Sequence, residues 1–331
     1  MFHQDLVPIG GSLPLSFVFA TLPIATVLVM LGVLRRAAWQ ASLGGLVVAL
    51  VIAVLCWHMP VGLALDSTLN VVVFALWPVM WIAVNALLLY NIAVVTGRFE
   101  AFRTWVLHHL PADRRVVLIV IGFCFGALIE GIAGFGSTIA IVASLLISVG
   151  WAPLEAVTYA LIFDTAPVAY GALGIPITVL GTVTHLPAEQ LGAMVGRQLP
   201  ILALILPFYV MAVFGGLRSI RALWPLLLVA GGSFALIQFG VSNLLDYRLT
   251  DVFASLGSLV LTVLFLRVWA PPADERFRAR AEARPEGAAA AVTLSPWQGW
   301  IPWIVVSAVV IVWTQLGISA IGRQKISWPG L

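Results

Sequence analysis

The sequence predicts an all-α integral membrane protein, a polytopic helical bundle with a re-entrant hairpin and a broken transmembrane helix. Of its 331 residues, 62% are hydrophobic and only 9% are charged, and the mean hydropathy is +1.08. A water-soluble domain of this length cannot bury so much apolar side chain. In addition, two long apolar runs each carry a lone carboxylate followed by glycines or prolines. The net charge of +3 comes mostly from loop arginines, so we predict no nucleic-acid partner.

Apolar windows of about 20 residues are long enough to cross a bilayer core of roughly 30 Å. The chain offers a series of such windows and a longer, less regular apolar block at 116–186. The predicted spans are 14–34, 43–65, 70–96, 199–217, 222–244, 252–270 and 299–320. The polar stretch 271–297 predicts a flexible cytoplasmic loop.

Basic residues in short loops predict the orientation of the chain, since such loops stay in the cytoplasm. Arginines at 35–36, 97–115, 218–221 and 276–284 therefore mark the cytoplasmic side and leave the N-terminus outside. The first residues lack a basic region, which favours a retained first helix over a cleaved signal peptide. With 97–115 inside and a loop at 188–198 outside, the intervening block makes an odd number of crossings.

The stretch ALIEGIAGFGSTIAI, at 127–141, suggests how the block makes an odd number of crossings. Glu130 is the single charged residue between Arg115 and Glu155, and glycines follow it at 131, 134 and 136. The preceding arm, 116–130, spans roughly 22 Å as a helix, which is too short to cross the hydrocarbon. We therefore predict a re-entrant hairpin over 116–150 with its glycine-rich tip near the bilayer midplane, where irregular backbone is tolerated only inside protein or along a cavity.

The next segment, 156–186, repeats the pattern. Asp164 is its sole carboxylate before Glu189, and prolines or glycines at 167, 171, 174 and 176 follow it. Because proline removes a backbone donor and glycine weakens a helix, we predict two half-helices that meet at an unwound middle. Such broken helices are typical of secondary transporters, where they form the substrate and coupling-ion site.

Structural roles compete with this interpretation. Glu130 could simply accept hydrogen bonds from the backbone or from a nearby hydroxyl, but an ionisable group at that depth costs at least ~2.5 kcal/mol, which favours a functional role. Gly122 and Gly126 form a GxxxG pattern that predicts helix packing. Cys56 and Cys124 lie in apolar runs and are interpreted as packing residues, so no metal site is predicted.

Two strings, ALIEGIAGFGSTIAI (127–141) and DTAPVAYGALGIPI (164–177), closely resemble the signature segments of the bacterial lactate permease family. Members of that family take up lactate and glycolate with protons. The resemblance extends over the whole chain. It implies a multi-pass protein of the bacterial inner (plasma) membrane, with H+ as the coupling ion and no cofactor. The family resembles the ion-transporter architecture, in which two inverted repeats each contain scaffold helices, a hairpin and a broken helix.

On this comparison, 1–217 is a complete first repeat, and 218–331 is a partial second repeat that supplies scaffold helices alone. Family members are considerably longer than 331 residues. The chain is therefore expected to correspond to the N-terminal part of a permease.

The resemblance also implies a site near the midplane for a small 2-hydroxymonocarboxylate: L-lactate, D-lactate or glycolate. Backbone amides of the two breaks would meet its carboxylate, and side-chain hydroxyls its hydroxyl group. Glu130 or Asp164 would carry the proton. The implied substrate-binding residues are Gly131, Gly134, Gly136, Ser137, Thr138, Thr165, Gly171 and Gly174.

Three other classes stay open from the sequence. A cation-coupled carrier of another small carboxylate would also bind its substrate at broken helices. An intramembrane enzyme is disfavoured, because no Ser/His/Asp or His-cluster arrangement is evident. A non-transporting fragment would need a second half as partner, and a homodimer is a further arrangement consistent with the sequence.

Overall fold

A computed structural model describes residues 5–278 and 294–321. Within them lie seven helices long and apolar enough to cross a membrane, or eight when a bent helix pair counts as one more span, and no β-strand. The all-α polytopic class is thus confirmed. The described residues divide into two compact units, one within 5–78 and the other within 79–321. This division reflects packing, and the repeat boundary at residue 217 stays a prediction.

The first unit contains helices α1 (Leu13–Gly32), α2 (Ala38–Leu55) and α3 (Val61–Phe74). The span predicted at 43–65 is present as α2, but it begins and ends earlier than predicted, because the chain leaves helical geometry at 56–60. His58 has a φ of 53°, and Pro60, which lacks an N–H, caps the start of α3.

The second unit begins with α4 (Met80–Val95) and α5 (Arg98–His109). The prediction that 97–115 is a loop is wrong for most of that range. Phe102 and Val106 are buried on one side of α5, and the Arg103 guanidinium donates a 2.7 Å hydrogen bond to the Ser148 carbonyl. The arginines that suggested a loop lie on an amphipathic helix.

The predicted hairpin is formed by α6 (Arg114–Ile132), π-helical over Leu118–Phe125, and α7 (Ser137–Ser148). Its first arm is longer than expected: 19 residues, roughly 28 Å, which is enough to cross the hydrocarbon. The chain nevertheless returns to its starting end, since the Arg114 guanidinium lies 4.4 Å from the centre of the Trp151 ring. Entry and exit on one membrane face stay a prediction.

The predicted broken helix consists of α8 (Pro153–Phe163), a 3-10 turn (Val168–Tyr170) and α9 (Gly171–Thr184). The two parts are bent by 71°. Ala172, Leu173 and Gly174 follow the turn with φ of 45°, 60° and 69°, so the second half-helix continues regularly only beyond them. The break predicted from prolines and glycines is confirmed.

Helix α10 (Ala188–Leu244) has 57 residues, and a straight helix of that length would measure roughly 85 Å. It folds back at Gly216, whose φ of 69° and ψ of −178° interrupt it, and its two arms pack together. A Cβ added at Gly231 would lie 2.8 Å from the Leu204 carbonyl oxygen, which shows how closely they approach. The predicted helices 199–217 and 222–244 correspond to these arms, but the turn lies at Gly216 rather than 218–221. The predicted loop at 188–198 is wrong, because it is helical from Ala188.

The unit is completed by 3-10 turns at Tyr247–Leu249, Glu275–Phe277 and Pro296–Trp300 and by helices α11 (Thr250–Val268), α12 (Ile301–Gln315) and α13 (Ile318–Ile321). Of the predicted loop 271–297, residues 279–293 lie outside the described residues. Its first part is held in place rather than free. Arg115 donates to the Pro272 carbonyl at 3.3 Å and stacks its guanidinium on the Phe277 ring at 4.6 Å.

Candidate functional site

The breaks of the hairpin and of the broken helix meet inside the second unit. Gly134 has a φ of 58°, which favours glycine, and a Cβ added there would lie 2.9 Å from the backbone nitrogen of Ala172. Gly171 similarly allows close approach, because a methyl group at that position would overlap Oε1 of Glu130. Glycine at 134 and 171 thus brings the two irregular segments into direct contact.

Glu130 lies where the breaks meet, and its side chain is 3% exposed. Its Oε2 accepts a 2.7 Å hydrogen bond from the hydroxyl of Thr138, at the start of α7. Its Oε1 packs against Gly171, on the broken helix. The carboxyl group therefore touches both arms of the hairpin and the segment that packs on it.

Asp164 ends α8, and its carboxyl group is close enough to that of Glu130 for the two to interact electrostatically. Its Oδ1 is buried and has no hydrogen-bond donor among the described residues. Two carboxylates are both acceptors and repel one another, so a hydrogen bond between them requires a proton on one of the two. A proton bound by either group would remove this repulsion. Glu130 and Asp164, singled out separately by the sequence, share one site.

A third carboxyl group, which the sequence analysis did not identify, belongs to the same cluster. Asp251, in the first turn of α11, is fully buried, and neither oxygen has a hydrogen-bond partner within the described part of the chain. A Cβ added at Gly131 would lie 2.8 Å from the Cβ of Asp251, so α6 approaches α11 there without an intervening side chain. Asp251 interacts electrostatically with both Glu130 and Asp164. Among the described residues, however, no group of acidic, His or Cys side chains is arranged to hold a metal ion.

The turn after Asp164 is held by the two arms of α10. The amide of Gln238, on the second arm, donates a 3.2 Å hydrogen bond to the Ala166 carbonyl. The Tyr170 hydroxyl donates to the Gly192 carbonyl on the first arm at 2.7 Å. These bonds fix the irregular segment to both arms of α10 and add to its own local turn hydrogen bonds.

The remaining predicted substrate ligands lie around this cluster in different settings. Ser137 is buried, and its hydroxyl donates to the Gly134 carbonyl at 2.7 Å. Thr165 is exposed and donates to the Ile162 carbonyl in its own turn. Gly136 is exposed with a φ of 81°, and Gly174 lies against the Tyr247 ring. The structure thus gathers Glu130, Gly131, Gly134, Thr138, Asp164 and Gly171, while Gly136, Thr165 and Gly174 are peripheral.

Buried carboxyl groups at the meeting point of a hairpin and a broken helix are an arrangement typical of secondary transporters. The chain belongs to the L-lactate permease family, whose family model matches residues 16–325. It is 41% identical over 317 residues to the L-lactate permease of Salmonella typhi, covering 95% of this chain and 57% of the relative.

Two other relatives extend the comparison. The L-lactate permease of Bacillus subtilis (strain 168) is 41% identical over 318 residues, which cover 94% of this chain and 56% of the relative. The glycolate permease GlcA of Escherichia coli (strain K12) is 38% identical over 333 residues, covering 96% and 58%. The chain therefore spans little more than half the length of these relatives. No solved structure matches it. Together, the family and the apolar helices identify a multi-pass protein of the bacterial inner membrane.

Proposed function

We propose that this chain forms the proton-binding part of a carrier that takes up L-lactate, D-lactate or glycolate together with protons. The observation that carries the proposal is the Glu130–Asp164 pair at the contact between the two breaks. A proton held there neutralises one carboxyl group, and its release restores the repulsion between the two. Hence the charge of the site changes where the hairpin and the broken helix touch.

The names of the relatives support the choice of substrate. They include L-lactate permeases and a glycolate permease, which the names associate with small 2-hydroxymonocarboxylates. An anion of this kind that moves with one proton carries no net charge across the membrane. The left-handed segment Ala172–Gly174 brings backbone amides close to the carboxyl pair, while the buried hydroxyl of Thr138 holds the Glu130 carboxyl group in place.

The test is uptake of radiolabelled L-lactate and glycolate into membrane vesicles. Vesicles contain either this chain or this chain joined to the additional sequence of the Bacillus subtilis relative. An inward proton gradient is compared with an inward sodium gradient at constant pH. We expect uptake driven by the proton gradient in the longer protein at least. Uptake that follows sodium instead would overturn proton coupling and favour the cation-coupled carrier. No uptake of either acid by either protein would contradict the proposed substrates.

The same assay addresses assembly. Uptake by the chain alone would show that one hairpin and one broken helix suffice, for which a homodimer is the arrangement to test by cross-linking. Uptake confined to the longer protein would identify this chain as one part of the carrier.

A further inference from the structure

A cavity of about 340 Å³ lies beside the broken helix, within the second unit. This volume is in the range of small-molecule sites, roughly 300–1,000 Å³. Its wall includes the left-handed backbone of Ala172 and Leu173, with Ile132 from the end of α6. Since Gly171, which touches Glu130, directly precedes Ala172, the cavity begins next to the carboxyl pair.

One cationic side chain, that of Arg248, is among the residues lining this cavity. Its Nη1 lies 3.9 Å from an oxygen of Asp246, which is too long for a hydrogen bond, and its guanidinium lies 5.3 Å from the centre of the Tyr247 ring. Arg248 is about one-third exposed, and the carboxylates of Asp246 and Glu189 act on its charge from a distance. Several of its five N–H donors therefore remain for a ligand. A guanidinium in this state suits a bidentate carboxylate.

A hydroxyl pair lies next to Arg248. Thr178, in α9, also lines the cavity, and its hydroxyl is 2.8 Å from the phenolic oxygen of Tyr247, the residue before Arg248. The Thr178 hydroxyl donates to the Gly174 carbonyl at 3.0 Å, so it can accept a hydrogen bond from the hydroxyl of a ligand. The rest of the lining is mostly apolar and includes Ile82 and Trp313. A cation, a hydroxyl and apolar side chains in one cavity complement a short acid with a carboxylate, a hydroxyl and a small alkyl group.

The position of the cavity in the unit agrees with a route to the carboxyl pair. Arg248 follows the second arm of α10, at the opposite end from Gly216, and Trp313 lies near the end of α12. The Arg115 contacts with Ser219 and Pro272 mark the other end. By the predicted orientation, in which arginine-rich loops face the cytoplasm, the cavity is on the outer side of the break.

We propose that Arg248 anchors the substrate carboxylate in this cavity and that Thr178 distinguishes 2-hydroxy acids from acids without a hydroxyl. This inference rests on the proposed function and names a substrate-binding residue for it. The bound acid would contact Ala172, and the preceding residue, Gly171, contacts Glu130. Occupancy of the cavity and protonation of the carboxyl pair are thereby linked through Gly171 and Ala172.

The experiment measures binding, so it does not depend on whether the chain transports alone. Detergent-solubilised chain is titrated with radiolabelled L-lactate, glycolate and propionate, and with neutral lactamide as competitor. Arg248→Gln is expected to raise the Kd for all three acids about tenfold or more, since a charge-assisted bond is lost. Arg248→Lys recovers part of the affinity. The control Arg197→Gln changes another exposed arginine, which bonds to Asn243, and leaves binding unchanged.

A second variant tests the hydroxyl. Thr178→Val keeps the side-chain volume and is expected to reduce the preference for L-lactate over propionate about threefold or more, with the propionate Kd unchanged. Each variant is used only when it elutes like the unsubstituted chain in gel filtration.

Unchanged lactate binding in a well-folded Arg248→Gln variant would overturn the inference and leave the proposed function standing. Equal competition by lactamide would overturn it too, because the carboxylate would then not be what is recognised. If the unsubstituted chain binds none of the acids, the proposed role of Arg248 is overturned. The separate uptake assay then tests the proposed function by itself.

Discussion

The hydroxyl of Thr138 donates a 2.7 Å hydrogen bond to Oε2 of Glu130, across the break that separates their helices. Both side chains are buried, at 3% exposure each. One contact thus sets the position of the carboxyl group and closes the hairpin tip. The account that places proton binding here makes specific predictions about each contact of this carboxyl group.

Thr138→Val removes the hydroxyl at nearly constant volume and is expected to lower the initial rate of lactate uptake about tenfold. A hydrogen bond to a charged group is worth about 1.5–3 kcal/mol, and its loss leaves Oε2 of Glu130 without this donor. Thr138→Ser keeps the hydroxyl and should retain most activity. Initial rates are normalised to the amount of protein in the membrane. Equal rates for the Val and Ser variants would show that the hydroxyl is not needed.

Gly171→Ala displaces the Glu130 carboxyl group without removing it. The added methyl would overlap Oε1 of Glu130, while the backbone φ of Gly171, −56°, is one that alanine adopts freely. Uptake should fall about tenfold or more, since the carboxyl group must leave its position between Thr138 and Gly171. Gly126→Ala is the matched control: its added methyl would meet Val142 at 3.4 Å, an ordinary contact. If both variants transport alike, the position of Glu130 is not critical.

Asp251→Asn tests the carboxyl group that the sequence did not reveal. A buried carboxyl group without a hydrogen-bond partner destabilises the fold, so neutralising it should leave the Tm unchanged or higher while uptake falls. Uptake rates and the thermal unfolding of solubilised protein are measured side by side, with the exposed Glu275→Gln as control. A lower Tm with unchanged uptake would give Asp251 a purely structural role.

Arg115→Ala should destabilise the second unit without a direct effect on substrate binding. Arg115 is 1% exposed and donates hydrogen bonds to both carboxylate oxygens of Asp113. Removing one partner of a buried ion pair costs about 3–5 kcal/mol, since the other charge is left uncompensated. The double variant Arg115→Met/Asp113→Leu removes both charges and should recover much of the loss. Thermal unfolding distinguishes these cases, and equal Tm values for the single variant and the unsubstituted chain would contradict the assigned role.

The sequence located both breaks because their signals are local. A carboxylate in an apolar run, followed at once by glycine or proline, can be recognised without knowing what packs on it. Asp251 and Arg248 gave no such signal, because they lie near a helix boundary where charged residues are common. Asp251 reaches the site because Gly131 lets α11 approach α6. Arg248 reaches it because its neighbour Tyr247 packs against Gly174.

The corner of α10 illustrates the same limit. Arg218 and Arg221 suggested the turn by their charge, whereas the backbone folds two residues before the first of them, at the glycine that can adopt a positive φ. Nor could the sequence predict that the Arg114 guanidinium stacks on Trp151, which brings the two ends of the hairpin together. That contact joins residues far apart along the chain.

The most direct test of proton coupling at the carboxyl pair is simultaneous measurement of lactate and proton entry. Vesicles contain the longer protein with Glu130 intact or replaced by Gln, at matched amounts, and the exposed Glu275→Gln serves as control. The account predicts that Glu130→Gln abolishes gradient-driven lactate accumulation and the accompanying proton entry while insertion into the membrane is unaffected. Normal proton-coupled accumulation by Glu130→Gln would contradict it.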